Sequence, residues 1–141
     1  MQVIRRAHLV VAWAFVAGLV IQVFLAGRGV FENAERFKDH AGWGYTIGLL
    51  PLILLILAAI GRLGRRQVIY GAALLGMFIL QSILVTFREN QPTIAALHPV
   101  NGFAILLLAI FCAREAWASR EVTAQPPSTA AAQPASGSGA R

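Results

Sequence analysis

The stretch HAGWGYTIGLLPLILLILAAIG, residues 40–61, runs 22 positions without a charged side chain. As a helix rising 1.5 Å per residue, it is long enough to cross a hydrocarbon core about 30 Å thick. Three more uncharged runs flank it: Ala7–Gly27, Gln67–Thr86 and Ile94–Ala113, each close to the same length. The chain is 57% hydrophobic and 13% charged, with a mean hydropathy of +0.67. A soluble domain carries roughly 25% charged residues, so the aqueous globular classes are excluded. The expectation is an all-α bundle of four transmembrane helices.

Arg5-Arg6 precede the first run, as they would a signal peptide. The run is longer than the roughly 7–15 residues of a signal h-region and no small-x-small cleavage site follows, so it reads as an uncleaved helix. The net charge of +6 is explained by where the arginines fall. Arg5, Arg6, Arg62, Arg65, Arg66, Arg114 and Arg120 lie on one side of the predicted membrane. Arg28, Arg36, Lys38 and Arg88 on the other side are balanced by Glu32, Glu35, Asp39 and Glu89. By the positive-inside rule both termini face the cytoplasm, in a multi-pass protein of the cell's inner membrane. The basic surplus is topology and implies no nucleic acid.

Short connections make consecutive helices antiparallel neighbours. Asn33 is expected to cap an extension of the second helix, and Pro92 to sit in the first turn of the fourth. Residues 1–121 form the bundle. Residues 122–141, rich in Pro, Ala, Ser and Gly without apolar periodicity, read as a disordered cytoplasmic tail. The one cysteine, Cys112, permits no internal disulfide and no covalent haem attachment motif, and reads as a small buried side chain.

Within this frame the quoted stretch has a twin. His40-Ala-Gly-Trp-Gly44 returns 58 residues later as His98-Pro-Val-Asn-Gly102, and Ile21-Gln22-Val-Phe-Leu25 returns 59 residues later as Leu80-Gln81-Ser-Ile-Leu84. The bundle is therefore two tandem two-helix repeats related by a pseudo-twofold axis along the membrane normal. That axis makes the second and fourth helices parallel and sets His40 and His98 at equal depth near the outer face.

Two histidines approaching from opposite sides suit the two axial positions of one metal. Residues i and i+4 lie about 40° apart around a helix and about 6 Å along it, so Gly44 and Gly102 clear space beside each imidazole for a flat ring, and Gly48 continues the stripe. The expected cofactor is one b-type haem with His40 and His98 as metal ligands. A bare zinc or copper ion wants three or four ligands, and no third histidine or cysteine lies at that depth. The bland alternative is ordinary packing, since Gly44-x-x-x-Gly48 is also a device for close helix contact.

Gln22 and Gln81 are candidates to bond an imidazole, a haem edge or a quinone carbonyl, or simply to bond between helices. Arg28 and Arg88 are candidate partners for haem propionates, against a reading as solvated loop charges. Asn101 is expected to satisfy backbone freed around Pro99. His8 has no histidine at its repeat position and reads as an interfacial residue. Trp13, Trp43, Tyr45, Tyr70 and Trp117 read as interface anchors.

The run Gln22–Phe31, His40-x-x-x-Gly44 and Leu97-His-Pro-Val-Asn-Gly102 resemble an uncharacterised family of short bacterial four-span membrane proteins, over about residues 5–118. In arrangement the chain is also similar to one four-helix half of the haem A synthase family, which implies His40 and His98 as axial ligands. That family uses two halves and a carboxylate close before a ligand histidine, a pattern that Asp39 and Glu35 do not reproduce. The resemblance therefore implies haem binding without haem hydroxylation.

The functional expectation is a membrane cytochrome passing single electrons, linked to quinol or a redox partner protein, more an electron carrier or haem-binding protein than a catalyst. The alternative is a haem-free accessory or packing subunit. The sequence leaves a homo-oligomer open.

Overall fold

A computed structural model describes residues 1–124 of the chain, with side chains through Ser119. All its regular structure is helical. Among the described residues, four helical spans are long and apolar enough to cross a membrane. The first is a single helix, α1 (Gln2–Phe31), of 30 residues. The second combines α2 (Phe37–Ile47) and α3 (Leu50–Ile60). The third is α4 (Arg65–Thr86). The fourth combines the short α5 (Pro92–Ala95) with α6 (Leu97–Ala124).

Prolines account for both interruptions. Pro51, in the first turn of α3, has no N–H to donate and its ring crowds the carbonyl of Ile47, four residues back. The helix therefore stops at Ile47 and restarts at Leu50. Pro99 acts likewise on the carbonyl of Ala95, and α5 and α6 part at Ala96. Each histidine-bearing span is thus locally broken, two residues before His98 in the fourth span and about two turns beyond His40 in the second. Asn33 does not cap as expected. It heads a 3-10 turn (Ala34–Arg36) through its backbone carbonyl, which accepts from the Arg36 N–H at 3.1 Å, and its side chain makes no cap bond.

The spans form a closed ring. Each packs against the next, and α6 returns to pack along α1. Spans one and three, and spans two and four, therefore face each other diagonally. Phe15, Leu54, Leu74 and Ile105, one from each span, are all below 2% exposed and form the centre of the core. Phe24, Ile56, Ile79, Leu107 and Phe111 point outward and are exposed. A surface this apolar has no stable home in water, and lipid is the solvent it matches. The predicted tail falls outside the described residues except at 122–124, where α6 continues.

Candidate functional site: the histidine pair

His40, on α2, and His98, on α6, come from diagonal spans, yet their ring centres are 6.2 Å apart. Both are half-buried, at the end of the bundle away from the chain termini. Phe37 meets the His40 ring edge-on at 6.3 Å.

Each ring is anchored in the same way. The Nδ1–H of His40 donates to the backbone carbonyl of Gln22 at 3.0 Å, and the Nδ1–H of His98 donates to that of Gln81, also at 3.0 Å. A carbonyl only accepts, so the proton sits on Nδ1 and the neutral ring carries its lone pair on Nε2. Three residues beyond each histidine a second anchor repeats the pattern. Trp43 Nε1 donates to the Gly18 carbonyl at 2.9 Å, and Asn101 Nδ2 to the Met77 carbonyl at 3.0 Å. Gly18 and Met77 each precede the repeat glutamine by four residues. The sequence repeat is therefore also a repeat of hydrogen bonds. It corrects two expectations: Asn101 serves the neighbouring span and not the backbone around Pro99, and Trp43 is a partly buried strut and not an interface anchor. Tyr70 also packs against the core, whereas Trp13, Tyr45 and Trp117 are exposed.

The glutamine side chains break the symmetry. Gln22 Nε2 lies 3.2 Å from His40 Nε2, donating to its lone pair, while Gln22 Oε1 is buried without a partner. Gln81 is turned differently, because its Oε1 accepts from Asn101 Nδ2 at 2.7 Å.

The glycines make room, but the room is occupied by side chains. A Cβ on Gly44 would lie 2.9 Å from Gln22 Nε2, and one on Gly102 would lie 3.3 Å from Gln81 Nε2. At Gly48 the space is taken by the Phe78 ring, 2.6 Å from where a Cβ would stand. The expected flat slot is therefore lined by two amides, and Gly48 belongs to the packing beneath it.

Arg28 holds Glu32 with two bonds, Nε to Oε1 at 2.7 Å and a second guanidinium nitrogen to Oε2 at 2.9 Å, and lies 3.8 Å from Asp39. The bond to Arg28 keeps the Glu32 carboxyl below the usual carboxylate range. Arg36 joins the same network through Glu32 and Asp39. Arg88 is largely exposed and, among the described residues, reaches only its neighbour Glu89, at 3.4 Å. The two arginines are not equivalent.

At the opposite end the structure overturns the reading of His8 as interfacial. It is 1% exposed, and neither ring nitrogen finds a partner among the described residues. Gln67, 59 residues later, is likewise buried, and its Oε1 accepts from the Cys112 thiol at 3.3 Å. The signal was present in the sequence, because His8 and Gln67 share the period of Gln22 and Gln81. The repeat position of His8 holds a glutamine and not a second histidine.

The donor set bears on what the site suits. Two imidazoles bonded to one metal from opposite sides, with metal–nitrogen bonds of about 2.0 Å, have ring centres about 6.3 Å apart. The observed separation is 6.2 Å with the ring planes 61° apart, and the His40 Nε2 that would face a metal is met by the Gln22 amide at 3.2 Å. Among the described residues no three of His, Cys, Asp and Glu gather as a metal group. The other polar neighbours are amides, poor ligands for zinc or copper. A donor set of two imidazoles is complete for a metal whose remaining ligands come from a macrocycle. The Nδ1–H bonds to carbonyls are the customary outer support of a metal-ligating histidine.

Residues 22–87 match a family model described as "Family of unknown function (DUF6220)". The match includes Gln22, His40 and Gln81 and ends before His98. No curated protein and no solved structure matches the chain.

Proposed function

We propose that this protein is an integral membrane b-type cytochrome holding one haem between His40 and His98 and carrying single electrons. The observation that carries the reading is the pair itself: two imidazoles 6.2 Å apart, each with Nδ1 tied to a carbonyl, so that Nε2 is the nitrogen available to a metal at His98 and, once the Gln22 amide moves off it, at His40. The haem supplies a one-electron couple when bound, and the protein supplies position and dielectric. His40 and His98 ligate the metal. The carbonyls of Gln22 and Gln81 fix the tautomer and raise the basicity of each ligand. Trp43 and Asn101 tie each histidine span to its neighbour, so the ligating atoms stay in register. Phe15, Phe78 and the core beneath exclude water from that side. Arg28 is committed to Glu32 by two bonds and lies near Asp39, so a propionate there would have to displace a carboxylate.

In this reading the arginine-rich end that carries the termini faces the cytoplasm, and the histidines face the outer side of a bacterial inner membrane. The electron partners are a quinol in the bilayer or a redox protein on the outer side.

One observation favours the haem-free reading. The Gln22 amide on His40 Nε2 closes a polar contact without any cofactor, as an accessory packing subunit would. The absorption spectrum of the purified chain decides between them. A low-spin, six-coordinate Soret band lost in His40→Ala and His98→Ala is expected. No Soret band, or one indifferent to both substitutions, sinks the cytochrome reading.

A further inference from the structure

At the arginine-rich end, α1 and α6 leave an open groove of about 410 Å³ between them, lined by Trp13, Arg114, Trp117 and Ala118. Both indoles are exposed, Trp13 at 41% and Trp117 at 47%. Arg114 is the first charge beyond the uncharged run 94–113, and Trp13 lies six residues inside the run that starts at Ala7. Six residues of helix rise about 9 Å, so the groove crosses the boundary between the charged end and the apolar flank. Arg114 is exposed and forms no ion pair among the described residues. The acid next to it, Glu115, serves another side of the helix, where it meets Arg66 at 3.5 Å. The groove thus keeps an uncompensated guanidinium beside two aromatic faces.

We infer that this groove is a binding site for one anionic phospholipid of the adjoining leaflet, its phosphate held by Arg114 and its acyl chain laid against Trp13. The inference rests on the membrane-spanning fold and not on the haem reading. The planar guanidinium fork matches two phosphate oxygens, and a bidentate pair of this kind is stronger than a bond between neutral groups. With Glu115 committed to Arg66, the anion that the bilayer itself supplies at this level is a lipid phosphate. Basic pockets between transmembrane helices at the cytoplasmic end are a recurrent setting for anionic headgroups. Indole rings favour the same headgroup level, where one edge is wet and the other apolar. Arg5 and Arg6, on the same end of α1, add a field of the same sign. That field favours a headgroup with no cation of its own, so phosphatidylglycerol fits better than phosphatidylcholine.

The test uses the full chain purified in detergent and titrated with phosphatidylglycerol or phosphatidylcholine of identical chains, bound lipid being counted by native mass spectrometry. One phosphatidylglycerol per chain should be held about fivefold more tightly than phosphatidylcholine, and Arg114→Gln should remove that preference. Arg65→Gln deletes a charge at the same end but outside the groove, and should leave the preference in place. Phosphatidylglycerol should raise the unfolding temperature of the wild type and of Arg65→Gln, and not that of Arg114→Gln, each protein being compared with itself in phosphatidylcholine. Soluble glycerol phosphate should not displace the lipid, because it has no chain to lay against Trp13. Equal loss of preference in the two arginine variants would mean that the overall charge of this end attracts lipid, and overturns the site. No preference in the wild type, or displacement by glycerol phosphate, overturns it as well.

Discussion

His40 and His98 lie on spans that are not neighbours in the ring, and still their ring centres stand 6.2 Å apart. The interior at that level is therefore narrow, and it is held so by four bonds to carbonyls of the intervening spans. A half-turn of either histidine span would point its ring into lipid. The geometry is a property of the whole ring of helices.

The two glycines beside the amides should differ in tolerance. At Gly44 a new Cβ falls 2.9 Å from Gln22 Nε2, and at Gly102 it falls 3.3 Å from Gln81 Nε2. Gly102→Ala needs only a small adjustment, whereas Gly44→Ala must turn the Gln22 amide aside. Thermal stability, measured side by side, should fall further for Gly44→Ala. The reverse order would mean the amides are not what the glycines accommodate.

Gly48 makes a pure packing prediction. Gly48→Ala puts a methyl group 2.6 Å from Phe78 Cε1 and should destabilise the bundle by about 1–3 kcal/mol through overpacking. Adding Phe78→Leu should recover part of that loss. The coupling is read from unfolding in detergent by a double-mutant cycle, and simple additivity would disprove the contact.

At the other end, His8 is buried with both ring nitrogens unpartnered among the described residues. Leaving a polar group so placed costs about 1–3 kcal/mol, so His8→Leu should stabilise the protein by an amount of that order. Thermal unfolding in detergent tests it. A clear loss of stability would show that His8 has a bonding partner.

Acid should loosen the surface network at the histidine end. The Glu32 carboxyl titrates below its ordinary 4.5 because Arg28 holds its charged form. A depressed folded value means that its contribution is present above about pH 4.5 and is lost as pH falls through the lower folded value. Glu32→Gln should flatten that part of the stability profile. The pair is exposed, so the change is small.

The arginine distribution predicts the orientation of the chain. Cysteines placed at residue 2 and residue 90, in a Cys112→Ser background, should react oppositely with an impermeant thiol reagent in intact cells. Residue 90 should label and residue 2 should not. Labelling at residue 2 would invert the topology.

Much of the fold was legible because membrane spans are written in composition. An uncharged run such as residues 40–61 has few alternatives to a helix in lipid, where every backbone bond must be met within the segment. The 58-residue repeat carried the pairing of His40 with His98, and topology set them at one level. The proline breaks at Gly48-Leu49 and Ala96 were less visible, since Pro51 and Pro99 sit inside otherwise continuous apolar runs. The roles of Trp43 and Asn101 were misread for a related reason. A side chain's hydrogen-bond partner on another span has no trace in the local pattern.

By itself the sequence determined that this is a four-span helical membrane protein with a duplicated histidine motif, because length, hydropathy and periodicity are local quantities. Only the tertiary structure decided that the histidines meet across a diagonal, that backbone carbonyls set their tautomers, and that Gln22 and Gln81 turn different ways. Those outcomes depend on which side chain of one helix reaches which backbone group of another. That contact is made only when the ring of helices closes.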